Sequence, residues 1–329
     1  MGILEYLEKA VLTSPFNEQT GARGAGALPP EVAEEFLRVA MDYTVILKEA
    51  TVRTNRYPTF EIPRLDFSAR VLHAGTQATR LPDTQRFAPT TNLVTMSTHL
   101  FRAELDVTPE FLEDNAEREG AAQTLMQMLA EAVGRDAEEI AIKSDTARLA
   151  TEDADLDQFD GIIRQLQGLP AAQRINATSI TTYNALFGQM IGALPARYKR
   201  DMGALRLYVP YPHLEGYRRS LAARGTPLGD RYQVGEATGR LPFWGIDVVG
   251  VPLLSGTSLI NNATVDYGTF AFLVNPKNLY VGWHRAISIE RTPMPWEGVI
   301  GYFASLRYDV KFADPTAAVL AYNIPASLS

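Results

Sequence analysis

From Asn115 to Ile142, the residues Leu125, Met128, Leu129, Ala132 and Val133 keep helical spacing, and Thr108-Pro109-Glu110 provides a start signal ahead of them. Gly120 and Gly134 weaken this run without stopping it. A helix of roughly 27 residues is about 40 Å long. A rod of that length needs a large surface to lie on, and this requirement narrows the available folds more than any other feature of the chain.

The other strong pattern is "GYFASLRYDVKFADPTAAVLAY", residues 301 to 322. Tyr302, Ala304, Leu306, Tyr308, Val310 and Phe312 alternate with Ser305, Arg307, Asp309 and Lys311, the period of a strand with one dry and one wet face. Asp314-Pro315 breaks it, and a second apolar run, Ala317 to Tyr322, follows. Residues 51 to 107 are also β-rich, in "TFEIPRLDF" and "NLVTMSTHLFRAELDV". In the second stretch Val94, Met96, Thr98 and Leu100 share one parity and Phe101, Ala103 and Leu105 the other. That switch predicts a bulge or a strand that changes the surface it packs on. Between the two stretches, "SARVLHAGTQATRLPDTQRFAPTT" is polar, Thr-rich and too poor in apolar residues for a core of its own. It reads as an extended hairpin projecting from the body.

The remaining segments are weaker in pattern. Residues 1 to 30 read as an arm: Leu4, Leu7, Val11 and Leu12 form a short amphipathic piece ahead of the Gly- and Pro-rich "NEQTGARGAGALPP". Pro29-Pro30 open a helix over about 31 to 48, with Val32, Phe36, Val39, Ala40 and Tyr43 as its stripe and Glu31, Glu34 and Glu35 in its first turn. Residues 145 to 170 are acidic and loop-like. From 176 to 267 elements alternate: a helix over 178 to 193, the strand "ALRLYVP", the helix "PHLEGYRRSLAARG" and the strand "GIDVVGVPLL". This predicts an inserted α/β domain. From 268 onward the β pattern returns.

Composition excludes several chemistries. The 329 residues include 31 Lys and Arg against 38 Asp and Glu, a net charge of −7. Wrapping nucleic acid needs clustered cations, so this balance disfavours it. The absence of cysteine removes disulfides, thiolate nucleophiles and cysteine metal sites together. No apolar run reaches the roughly 18 residues of a membrane span, and the first residues lack a basic secretory n-region, so a soluble cytosolic product without a membrane partner is expected.

No catalytic or metal motif stands out. His73, His99, His213 and His284 include no pair at metal-ligand spacing. In "DADLDQFDG", Asp153, Asp155 and Asp157 match the first three ligands of an EF-hand loop. However, Gln158 stands where the turn needs Gly and Arg164 where the loop needs Glu, so a solvated acidic loop is the better reading. "GARGAG" follows no strand and has the wrong spacing for a dinucleotide fingerprint. The expectation is a non-enzyme with no cofactor, catalytic residue or metal.

The order of parts nevertheless resembles a known family. "FAPTTNLVTMSTHLFRAELDVTPEFLED", "EREGAAQTLMQMLAEAVGRDAEEIAIKSD" running to "FDGIIRQL", and "TFAFLVNPKNLYVGWHRAISIER" before the final β stretch are similar in order and spacing to Hong Kong 97-type major capsid proteins of tailed bacteriophages. The resemblance implies an α+β capsid fold. Residues 1 to 30 would be the N-arm. The peripheral domain would comprise 31 to 150 and 268 to 329, with the extended loop at about 66 to 97 and the spine helix at about 115 to 143. Residues 151 to 267 would be the axial domain.

It further implies assembly as hexamers and pentamers into an icosahedral shell around double-stranded DNA, bound without sequence specificity. Scaffolding, portal and decoration proteins are the implied partners, and the location is the virion, assembled in host cytoplasm. Arg70, Arg80, Asp83 and Arg86 suit inter-subunit hydrogen bonds and ion pairs; solubility alone is the bland alternative. Some members cross-link a loop lysine to a neighbour, but residues 66 to 97 hold no lysine. With only about 30 residues before the first firm helix, a separate scaffolding protein is expected rather than a cleaved leader. An encapsulin-type shell around cargo enzyme shares the fold, and a two-domain α/β enzyme with a lid loop is the remaining alternative.

Overall fold

The computed structural model describes residues 44–66, 74, 80, 90–108, 121–147, 154–223, 241–254, 261–262, 265–266, 269–284, 288–294, 296, 298–326 and 328. The expected N-arm, most of the helix expected over 31 to 48 and the start of the long helix lie outside them.

Strands β1 (Thr51–Asn55), β2 (Thr59–Asp66), β3 (Thr90–Ser97) and β4 (His99–Val107) precede helix α1 (Ala121–Lys143). Helix α2 (Ile162–Gln167), β5 (Arg174–Asn176), α3 (Tyr183–Ala193), β6 (Arg206–Pro210) and α4 (Tyr211–Ala222) follow. Then come β7 (Leu241–Phe243), β8 (Ile246–Val251), and the short β9 (Asn261–Asn262) and β10 (Val265–Asp266). The described chain closes with β11 (Ala271–Val274), β12 (Leu279–His284), β13 (Ser288–Met294), β14 (Val299–Phe312) and β15 (Val319–Tyr322).

The alternation in 302 to 312 yields β14, to which β4, β12 and β13 all pair antiparallel; β1 adds to β12 in parallel. Its even face is buried, as expected, and packs on the long helix: the Tyr308 hydroxyl donates to the Ala137 carbonyl at 3.0 Å. The helix exists, and its buried face joins part of the expected stripe to several small residues. Ala130, Val133, Gly134, Ala137 and Ala141 face inward, while Met128 is 61% exposed. Small residues let the helix axis approach the sheet, and bulky Met128 is left on the outer side. The parity switch has its counterpart in a change of sheet. β3 pairs only with β2, β4 pairs with β14, and Thr98 between them bonds Pro58 O through both its amide and its hydroxyl at 2.9 Å.

The second layer is a six-stranded sheet in the order β5-β15-β11-β6-β8-β7. Alternate residues point to opposite cores. Leu207, Val209, Ala271, Leu273, Val319 and Ala321 meet α3 and α4, while Tyr208, Phe272, Val274 and Leu320 join the core beneath α1 and β14. Burial on both faces explains why "AFLV" and "VLAY" are continuous apolar runs rather than alternating ones.

These pairings alter several expectations. The expected boundary at 267/268 passes through this sheet, because β11 and β15 lie between β5 and β6. On the other side, α2, expected within the inserted domain, buries Ile162, Ile163 and Leu166 in the first core. Its Gln165 side chain bridges β14, donating to Val310 O at 2.7 Å and accepting from the Phe312 amide at 3.1 Å. α3 starts at Tyr183 rather than 178, because the Thr182 hydroxyl caps it by accepting from the Ala185 amide. Residues 44–50 hold a single 3-10 turn, Leu47–Glu49, where the α-helix was expected to end.

Candidate assembly surface

Two roots tie the β2–β3 ribbon and residues 44–50 to the rest of the described chain. The first is that of the hairpin. β2 and β3 pair along their full length, from Thr59 opposite Ser97 to Asp66 opposite Thr90. Among their described side chains only Met96 is buried, and Leu93 is 55% exposed. A two-stranded ribbon is marginal in water without cover. Its anchor is a pair of side chains, Phe60 and Met96, resting where Gly282 of β12 has none: a Cβ there would stand 2.7 Å from the Phe60 ring and 3.0 Å from the Met96 methyl. Glycine in a strand interior is the signature of such a close approach.

Asp309 completes this root. The alternation places it on the wet face, yet it is 1% exposed, because the end of the ribbon covers it. One carboxylate oxygen accepts from the Ser97 amide at 2.8 Å, and the other has no hydrogen-bond partner among the described residues. Burial pushes its pKa above the ordinary carboxylate value, opposed by the Ser97 amide and the Lys311 charge.

The second root is residues 44–50, which follow the expected arm and helix. The buried carboxylate of Glu138 on α1 accepts from the amides of Val45 at 2.9 Å and Ile46 at 2.5 Å. These amides are thereby held by a side chain, and residues 44–50 form only the 3-10 turn Leu47–Glu49. Burial raises the Glu138 pKa, and the Ile46, Val45 and Leu47 amides oppose the rise. Glu49 ties the same segment to the second sheet: it lies 3.5 Å from Arg206 and accepts from the Tyr208 hydroxyl at 3.1 Å. Arg206 also lies 3.4 Å from Asp247. Sequence pattern gave no sign of Glu138 or Glu49, whose partners are backbone amides and residues far along the chain.

Of the four residues expected to make inter-subunit contacts, Arg80 is exposed, and Arg70, Asp83 and Arg86 lie outside the described residues. His213 is buried on α4 and His284 on β12, the His99 ring lies tilted 6.0 Å from that of Phe159, and His73 lies outside the described residues. Asp155 is exposed, Asp157 accepts from the Gln158 side chain at 2.6 Å, and Asp153 lies outside the described residues. Among the described residues no three His, Asp or Glu side chains are grouped to hold a metal ion.

A long helix on a sheet, a ribbon standing off it and a second sheet interleaved with the chain's two halves define the class: a shell subunit of the Hong Kong 97-type fold. Solved capsids carry this fold. The satellite phage P4 procapsid matches with a TM-score of 0.65 at 11% identity over 98% of this chain and 96% of that one. The capsid of a native GTA particle gives 0.60 at 14% identity over 88% and 91%. The SrpI encapsulin of Synechococcus elongatus PCC 7942 gives 0.57 at 9% identity over 85% and 87%.

The chain belongs to the phage capsid family, whose model matches residues 24–208. It is 30% identical over 287 residues to the prophage capsid protein YqbE of Bacillus subtilis (strain 168), covering 87% of each. It is therefore a structural protein of a multimeric capsid shell, a virion component and not an enzyme.

Proposed function

We propose that copies of this chain assemble as hexamers and pentamers into a closed icosahedral shell around double-stranded DNA, built in the host cytoplasm. The observation that carries this reading is the β2–β3 ribbon, fully paired but with almost no cover of its own. Such an element is stabilised by docking on a neighbouring copy, and a closed symmetric assembly repeats that contact at every subunit. Residues 67–89, between its strands, act as the extended loop, with Arg70, Arg80, Asp83 and Arg86 as its contacts. Residues 1 to 30 act as the N-arm and α1 as the spine helix. The six-stranded sheet with α3 and α4 acts as the axial domain, including β11 and β15.

The net charge of −7 suits a wall that does not grip packed DNA. A scaffolding protein, a portal and a decoration protein are the partners this role implies. DNA rather than cargo enzyme is favoured by the 30% identity to a prophage capsid protein, against 9% to the encapsulin.

The test is particle formation. Expressed with its genomic neighbours, the chain sediments as uniform closed particles, and electron microscopy shows their form. Replacing residues 67–89 with a short Gly-Ser link leaves a folded, soluble chain that forms no shells. Normal shells from that variant refute the loop's role. Enzyme-filled particles turn the reading to an encapsulin, and a persistent monomer ends both.

A further inference from the structure

The second sheet ends at β7, and the two-residue turn from β7 to β8 is Trp244-Gly245. Both residues have positive φ, 49° and 83°, the pattern of a type I′ hairpin turn, and Phe243 pairs with Ile246 across it. Gly245 suits that turn. Trp244 does not, because a bulky L-residue is strained there and asparagine is the favoured choice. The residue is 67% exposed, with its ring stacked on the Phe243 ring at 5.0 Å between centroids and 18° between planes. Phe243 is itself fixed against Phe187 of α3 at 5.3 Å. Neither turn propensity nor the protein's own core accounts for a tryptophan at this place. A rigid, outward aromatic face is instead what a protein–protein hot spot requires, since little side-chain freedom remains to be lost on docking.

We propose that Trp244 is an anchor by which the second sheet of one subunit docks on another copy of this chain; the inference rests on the shell reading above. The adjoining edge narrows the mode of contact. β7 is three residues long and is the sheet's last strand among the described residues, and its middle residue, Pro242, has no amide to offer an added strand. A neighbour therefore meets the side chain at the tip rather than extending the sheet. In a shell of one repeated subunit, the surface presented to that tip belongs to an identical chain.

Trp244→Asn tests this cleanly, because Asn-Gly is the preferred pair for the turn and only the ring is lost. The full chain, expressed with its genomic neighbours, is compared with Trp244→Asn and Trp244→Tyr by sedimentation over a concentration series and by thermal melting. The expected result is a melting temperature for Trp244→Asn equal to or above wild type, with an assembly threshold raised at least about tenfold and partly restored by tyrosine. The difference emission spectrum between wild type and Trp244→Asn is that of a water-exposed indole in the dilute chain and moves to the blue on assembly. Assembly of Trp244→Asn at the wild-type threshold overturns the anchor while leaving the shell reading intact. A difference spectrum already blue in the dilute chain also overturns it, because the chain's own residues then cover the ring. A wild-type chain that never assembles overturns both.

Discussion

The β2–β3 ribbon and the strands β6, β11 and β15 are alike in being fully backbone-paired, yet they stand at opposite ends of the stability scale. Every residue of β11 is buried, with cores on both faces. The ribbon has eight paired positions and one buried side chain among those described. Backbone pairing is complete in both, so the difference lies in apolar burial, roughly 25 cal/mol for each Å² removed from water. One region is stable by itself. The other has almost no apolar cover among its described side chains.

The largest effect should come from the double-faced sheet. Phe272 is fully buried, 5.0 Å from the Tyr208 ring, and Phe272→Ala is expected to cost about 3 to 5 kcal/mol in urea unfolding of the unassembled chain. A loss below about 1 kcal/mol would break the comparison. Next comes the ribbon's root. Gly282→Ala sets a Cβ against Phe60 and Met96 and should cost about 1 to 3 kcal/mol, with Met96→Ala relieving part of it in the double variant. Strict additivity would mean that the two sites do not touch.

Asp309→Asn sharpens the comparison by charge alone. The folded pKa of Asp309 is raised, so the stability its protonation contributes is fully present below the unfolded value near 3.8 and is lost as pH rises through the folded one. At neutral pH the variant should gain on the order of 1 kcal/mol while still accepting the Ser97 amide. Melting curves against pH should converge on acidification; a gap that widens instead contradicts the buried-charge account. The smallest effect belongs to the ribbon's exposed face, where Leu93→Ser should change unfolding of the unassembled chain by no more than about 0.5 kcal/mol. Urea titration checks it, and a larger loss would mean that the ribbon carries a core of its own.

The sequence was legible where a pattern has one cause. β14 follows from period-two alternation, and the long helix follows from helical spacing. On the helix face Val133 is legible from the spacing, whereas Ala130, Ala137 and Ala141, whose small size allows the closest approach, are not. Asp309 was unreadable because its burial depends on a ribbon about 210 residues earlier. The sheet partners of β11 and β15 were hidden for the same reason: "AFLV" and "VLAY" announce buried strands without naming their partners. The family resemblance supplied the fold class; the roots at Gly282 and Glu138 emerged only from coordinates. Gly282 inside a strand pattern was the one clue in the sequence.

The place of β15 has a consequence for synthesis. It sits between β5 and β11, although it follows every other described strand in the chain. During translation, β5 and one edge of β11 therefore stay without this partner until residues 319–322 have left the ribosome. The sheet that carries the Trp244 tip closes last, so a nascent chain presents an unfinished surface to completed neighbours. A chain still being made therefore lacks the strand that joins β5 to β11.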